Sequence, residues 1–414
     1  MIYLDWASTT PPEPGLLAEA AALAIGTYGN PSSRHALGGA ARDRLEEARG
    51  RLAAVLAPTD PAGTRPATIE AFRGHRAPPS GAARLVFTSG GSEADALVLL
   101  SLLRKRAAHP GSPPPHIVTS SIEHSAVYEE AKLLQGLGIE LSLVDPRADG
   151  RVDPADLAKA LRKNTALVAV MALNNETGAI QPLAALLEAV RAASQALGRQ
   201  APPHFHTDAV QALGKLAFHP EELGVDSAAF SAHKLRGPRG VGALWLRGRL
   251  EPLAVGGGQE AGLRPGTENL MGAWAFSLAA RAAKVSLEER LERAARLEAR
   301  LLSGLASIPG ALALPLGRRQ ADPAYSPFIL SLAFPGLSGE VLERSLSDQG
   351  FAVSTGAACS SHSAKKGRRI LDAMGLDPEL SFSAIRVSTG ETTTEAEIDA
   401  FLEAASASYR RLKT

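Results

Sequence analysis

Lys234 sits in "SAHKLRGPRG", directly after the β-like run "DSAAFS". Lysines are usually solvated, but one held at the end of a strand in an α/β sheet can form a Schiff base with a carbonyl cofactor. That chemistry needs an electron sink. Pyridoxal phosphate is one, provided that a carboxylate keeps its ring nitrogen protonated. "HTDAVQ" offers Asp208 near the end of the preceding β-like run, with Gln211 one turn on; read without Lys234, Asp208 is better explained as a helix N-cap. "FTSGGSEADAL" runs from a strand through Gly90, Gly91 and Ser92 into a helix, whose free N–H groups and dipole suit a phosphate. "SSIEHSAV" puts His124 after another strand, where its ring can stack on a cofactor and move protons, or simply be satisfied within a loop. "LNNETG" places Asn174 and Asn175 after a further one. Each signal is weak alone; five strand ends offering groups suited to one cofactor are stronger together.

The one cysteine of the chain, Cys359, lies in "STGAACSSHSAKKG". It cannot form an intrachain disulfide, and it has no companion cysteines for a zinc or iron–sulfur site, so no metal is expected. By itself it reads as a small core hydrophobe. Lys365, Lys366, Arg368 and Arg369 follow it, either favouring a thiolate or forming a solvated helix face.

The elements that must carry these residues follow from the patterning. From about 84 to 247, β-like runs ("RLVFTS", "HIVTSS", "ALVAVMALNN", "HFHTDAVQ", "DSAAFSAHK", "GVGALWLR") alternate with helical patterns. That alternation predicts an α/β fold with a largely parallel sheet, whose carboxyl edge is where ligands bind. Leu37, Ala41, Leu45, Ala48, Leu52 and Val55 form a helical stripe. One long helical stretch over 268–306 leads to a mixed pattern ("FILSLAF", "GEVLERSLSDQG", "FAVST", "AIRVSTG") and a closing helix from about 394, read as a smaller α+β domain. Residues 58–84, rich in Pro, Gly and Arg, read as a surface insertion.

Length of 414 residues allows two or three domains, and 45% hydrophobic with 21% charged residues is ordinary for a globular protein. The formal net charge of +1 gives no field for nucleic acid or a membrane surface. No apolar run reaches spanning length, and "MIYLDWASTTPPEPG" does not read as a secretory leader. With a lone cysteine, this predicts a reducing cytoplasm.

"YLDWASTTP", "GNPSSRH", "FTSGGSEADAL", "EHSAV", "NNETG", "HTDAVQ", "SAHKLRGPRGVGALW", "GGGQEAGLRPGTEN", "STGAACSS" and "IRVSTG" occur in that order across nearly the whole chain. In these motifs the sequence resembles the class V branch of the fold-type-I pyridoxal-phosphate enzymes, and within it the group I cysteine desulfurases. The resemblance implies a large domain over 12–262 with a mostly parallel seven-stranded sheet flanked by helices. Residues 1–11 and 263–414 would form the smaller α+β domain, carrying the Cys359 loop. It implies that Lys234 holds the cofactor, Asp208 pairs with its ring nitrogen, and Gln211 and Asn175 bond its phenolic oxygen. His124 would stack on the ring and help to move protons. Gly91, Ser92, Ser231 and His233 would bind the phosphate, joined by Thr267 from a neighbouring subunit of a homodimer. Arg386 would clamp the substrate carboxylate, with Asn175 and Asn30 bordering the substrate. Cys359 would attack the sulfur of bound L-cysteine, release alanine and keep a persulfide for iron–sulfur or other thio-cofactor synthesis, with a sulfur acceptor or scaffold protein as partner. Selenocysteine lyase and a class V aminotransferase, in which Cys359 would be incidental, share these motifs; a cofactor-free scaffold would share only the fold. A Rossmann dehydrogenase does not fit, because "SGGSE" departs from G-x-G-x-x-G.

Overall fold

The computed structural model describes residues 1–58, 83–356 and 368–413. A seven-stranded sheet runs in the order Ala83–Thr88, Gly242–Arg247, Ser227–Ser231, His204–Asp208, Thr165–Ala169, His116–Ser120 and Glu140–Val144. Gly242–Arg247 is antiparallel to both its neighbours, so the other six strands share one direction and present their carboxyl ends at one edge. The central strands His116–Ser120 and Ser227–Ser231 are buried at every position, as expected when helices cover both faces. The small side chains of "SAAFS" let the helix Gly91–Ala108 pack on the strand Ser227–Ser231. Glu140–Val144 has no counterpart among the β-like runs read from the sequence. It is an edge strand, half-buried over most of its length, and "ELSLV" carries no buried apolar run.

Other expectations are adjusted by packing. The stripe Ala41, Leu45, Ala48, Leu52 and Val55 of the helix Ala36–Leu56 is buried against the helix Leu270–Val285, but Leu37, in the first turn, is 50% exposed. The stretch 268–306 is two helices, Leu270–Val285 and Leu287–Ala306. Ser286 separates them, its hydroxyl turning back to the carbonyl of Ala282, 3.0 Å away. The closing helix is Glu395–Leu412, started by a capping box between Thr394 and Glu397. Of the stretch 58–84, residues 59–82 lie outside the described residues, while Ala83 and Arg84 begin the first strand.

A second, antiparallel sheet joins Leu312–Leu314, Ile329–Ala333 and Ala384–Ser388. Its core includes Leu301, Leu332, Phe334, Leu342, Ile385, Phe401 and Tyr409, contributed by the helices Leu287–Ala306, Gly339–Asp348 and Glu395–Leu412 as well as the strands. The first residues of the chain join this half: Ile2–Tyr3 pairs in parallel with Phe351–Ala352, and Asp5 bridges to Ser388. Trp6 is 4% exposed and lies so close under Gly390 that a Cβ there would fall 1.9 Å from its ring. This contact fixes the segment that enters the carboxyl edge of the large sheet.

Candidate active site

A cavity of about 250 Å³ opens at that edge. Gly91, Ser92, His124, Asn175, Asp208, Gln211, Ser231, His233, Lys234 and Arg386 all line it, together with Ala7, Ser8, Asp95, Ser354 and Gly356. Two anticipated residues are elsewhere. Thr267 is exposed on the loop before the helix Leu270–Val285, and Asn30 is exposed, its side-chain oxygen accepting from the Ser32 amide. Neither lines the cavity of a single chain. Cys359, Lys365 and Lys366 lie outside the described residues, whereas Ser354 and Gly356, a few positions before Cys359, are on the cavity wall.

Each strand end fixes its own side chain. Asp208 is buried, and its Oδ1 accepts the amide of Val210 at 2.9 Å, so it caps its own turn as well as facing the cavity. Burial raises its pKa, while His124, the Val210 amide and Lys234 pull it back. His124 caps the helix Ser125–Gly136, its Nδ1 accepting from Ala126 at 3.1 Å. Burial lowers the pKa of the His124 ring, as do Lys234 and Arg369, against the pull of Asp208. No helix follows Asp208, so the helix-cap reading of it does not hold, while His124, read alternatively as a loop residue, caps a helix; both side chains still line the site. Burial also holds His233 down to about 4, with its Nδ1 3.1 Å from the Thr9 hydroxyl.

Lys234 donates to the carbonyls of Ala7 at 2.6 Å and Ser8 at 2.7 Å. Gln211 donates to the same Ala7 carbonyl at 2.8 Å, and its Oε1 accepts from the buried Lys215 at 3.0 Å. Arg386 donates to Asp5 at 2.7 Å, to the Ser8 hydroxyl at 2.6 Å and to the Asn175 carbonyl at 3.0 Å. Behind His124, the buried Glu123 accepts from Ser120 at 2.5 Å and from the Met171 amide at 2.9 Å, and burial pushes its pKa up to about 8. Glu176, against which a Cβ on Gly356 would stand 2.9 Å away, is raised by burial to about 7 despite Arg386, Arg369 and Arg368. Arg368 and Arg369 are not a solvated face. Arg368 is 9% exposed, and Arg369 donates to the carbonyls of Ser121 and Glu123 and stacks 4.0 Å over Tyr128.

Residues 79–401 match the family model for aminotransferase class V. The chain is 34% identical to the cysteine desulfurase IscS of Anaeromyxobacter dehalogenans, over the whole of this chain and 93% of that protein. It is 36% identical to cysteine desulfurase IscS of Vibrio cholerae over 97% of this chain and 91% of that one. A solved NifS-like protein superposes with a TM-score of 0.82 at 32% identity, covering 98% of both chains. The chain belongs to the class V aminotransferases, among the cysteine desulfurases.

Enzymes of this family use pyridoxal phosphate, and the residues present in this class V chain fit it. Asn175 Oδ1 and Arg386 Nε, from two residues of the wall, are buried without a hydrogen-bond partner among the described residues, which suits a polar ligand. The helix Gly91–Ala108 begins on the cavity wall, bringing a helix N-terminus to it. Gly91 permits this approach: a Cβ there would come within 2.4 Å of the Val210 side chain. Asp208 and Lys234 supply the carboxylate and the amine. The sequence reading passed over Asp5, Ser8, Asp95 and Lys215. Asp5 and Ser8 stand in "LDWASTT", but only the fold brings that segment to Arg386. Asp95 lies one helical turn after Ser92, a spacing that put it within reach of the same cavity.

Proposed function

We propose that the cavity carries out cysteine desulfuration with the residue roles anticipated from the sequence. The observation that supports this reading is the meeting of Lys234, Asp208, His124 and Arg386 around one cavity. When bound, pyridoxal phosphate supplies the electron sink for breaking bonds at the amino acid's carbons. Lys234 tethers it and carries protons. Asp208 keeps the proton on its ring nitrogen, while Asn175 and Gln211 bond its phenolic oxygen. Gly91, Ser92, Ser231 and His233 hold the phosphate, with Thr267 of a second copy completing the set in a homodimer. Arg386 pairs with the substrate carboxylate, its fork oriented by Asp5 and Ser8; Asn30 borders the substrate side. Cys359, as thiolate, attacks the sulfur of bound L-cysteine; the carbon–sulfur bond breaks, the carbon takes a proton to become alanine, and Cys359 keeps the persulfide.

Within this reading, 12–262 and 1–11 with 263–414 act as the two domains, and a sulfur acceptor or scaffold protein receives the persulfide sulfur in the cytoplasm. Among the described residues no helix is long and apolar enough to cross a membrane. Purified protein given L-cysteine and a thiol reductant is expected to form alanine and sulfide, and Cys359→Ser to stop the sulfide. Sulfide release undiminished in that variant would refute the persulfide step. Relative turnover of L-cysteine and L-selenocysteine tests the substrate assignment.

A further inference from the structure

The strand His204–Asp208 alternates, so His204, His206 and Asp208 share one face while Phe205 and Thr207 take the other. The helix Gly91–Ala108 covers the first face and sets Asp95 on it. Three hydrogen bonds form an unbroken row there. His204 Nε2 lies 2.7 Å from Ser227 Oγ, Ser227 Oγ lies 2.8 Å from His206 Nδ1, and His206 Nε2 lies 3.0 Å from Asp95 Oδ1. Asp95, His206 and Ser227 are buried. At one end Asp95 lines the cofactor cavity with Asp208. At the other, half-buried His204 lines a separate cavity of about 310 Å³ with Lys105, His109 and Arg249. Packing between a helix and a sheet is ordinarily apolar, and burying two imidazoles and a carboxyl is costly unless each finds a partner. The desulfuration chemistry uses none of the four.

We propose that Asp95, His206, Ser227 and His204 form a proton relay that keeps Asp95 neutral beside Asp208, leaving Asp208 as the carboxylate that pairs with the cofactor ring. The proposal rests on the reading that pyridoxal phosphate binds this cavity. In the resting setting the Asp95 carboxyl donates to His206 Nε2, His206 Nδ1–H to Ser227, and the Ser227 hydroxyl to His204 Nε2. In the alternative setting each proton has moved one bond toward His204. Asp95 is then a carboxylate and His204 an imidazolium, which can return its proton to solvent in the second cavity. Burial and the charges of Asp208, Glu123 and Glu130 favour the neutral acid at Asp95. Burial and His204 keep His206 neutral. Burial lowers the pKa of His204, as does Arg247, against the pull of Asp226, so the imidazolium setting is the minor one. These four positions are positioning residues, acting on the cofactor through Asp208.

The full-length protein, labelled with nitrogen-15 histidine, is examined first without and then with pyridoxal phosphate. In the cofactor-free protein His206 is expected to be neutral with its proton on Nδ1. Asp95→Asn, whose amide donates in the same sense as the neutral acid, is expected to preserve that tautomer. An Nε2-protonated or doubly protonated His206 in the wild type overturns the relay, whether or not the cofactor binds. In the loaded protein, Ser227→Ala, which cuts the row without removing an imidazole, is expected to move the pH midpoint of the cofactor's visible absorption band by about one unit, a tenfold change in the proton equilibrium. His206→Gln serves as a second cut and is expected to move the midpoint in the same direction. A midpoint unchanged in both folded variants overturns the proposal. Failure of the wild type to take up the cofactor refutes the proposed function instead, while the histidine spectrum still decides the tautomer.

Discussion

On the sheet side of the cavity, Asp208 and His124 each accept from the amide two residues further along the chain. On the side built by the three-stranded sheet, Arg386 is oriented by Asp5 and Ser8, which are 381 and 378 positions away in sequence. The first wall is local, repeated strand after strand; the second exists only when distant parts of the chain have met. The difference predicts a division of labour that can be broken experimentally. Damage to the first wall should strike cofactor and turnover, whereas damage to the second should strike substrate binding while the protein stays coloured.

The sharpest break is Asp208→Ala. Losing one partner of a buried ion pair costs about 3–5 kcal/mol, so turnover is expected to fall by roughly two to four orders of magnitude, measured as kcat with alanine as product. Arg386→Lys keeps the charge but loses the fork. It is expected to lower kcat/KM for L-cysteine about 10- to 100-fold, through KM, with the cofactor absorbance retained. Loss of colour in that variant would dissolve the distinction between the walls.

Glu123 gives a test by pH. Its pKa of about 8 in the folded protein lies above the ordinary 4.5, so the folded state holds a proton that the unfolded chain has lost between those values. The stability this gives is full at pH below about 4.5 and is lost as pH rises toward 8. Unfolding free energies from urea titrations at pH 5.5 and 8 should therefore diverge more in the wild type than in Glu123→Gln, by up to roughly 3 kcal/mol. The smallest effect is expected from Gly390→Ala, which forces Trp6 aside. Overpacking of this kind costs about 1–3 kcal/mol, read as a lower Tm. Because Trp6 adjoins Ala7 and Ser8, KM should rise while the cofactor spectrum is unaffected.

The local wall was legible in the sequence for the reason that makes it local. "HTDAVQ", "EHSAV" and "SAHK" each follow a β-like run, so a side chain's place at the sheet edge comes with its motif. On the second wall Arg386 was named through its motif, but its partners Asp5 and Ser8 were not, because neither carries any sign of its distant partner. Glu140–Val144 was missed since an edge strand needs little burial, and the break at Ser286 since serine interrupts a helix without the usual glycine or proline. The row along "HFHTD" could have been read: polar residues at alternate positions of a central strand contradict a purely apolar interior.

The carbonyls of Ala7 and Ser8 that receive the Lys234 amine belong to a segment that also needs Gly390 and Ser388 to hold it. Those residues are made well before their anchor, which follows some 380 positions later. The large sheet can form before that, but its open edge stays uncovered until the strand Ala384–Ser388 arrives. A chain cut short before the strand Ala384–Ser388 would lack the anchor of this segment, and the amine of Lys234 would face water rather than its carbonyl cradle.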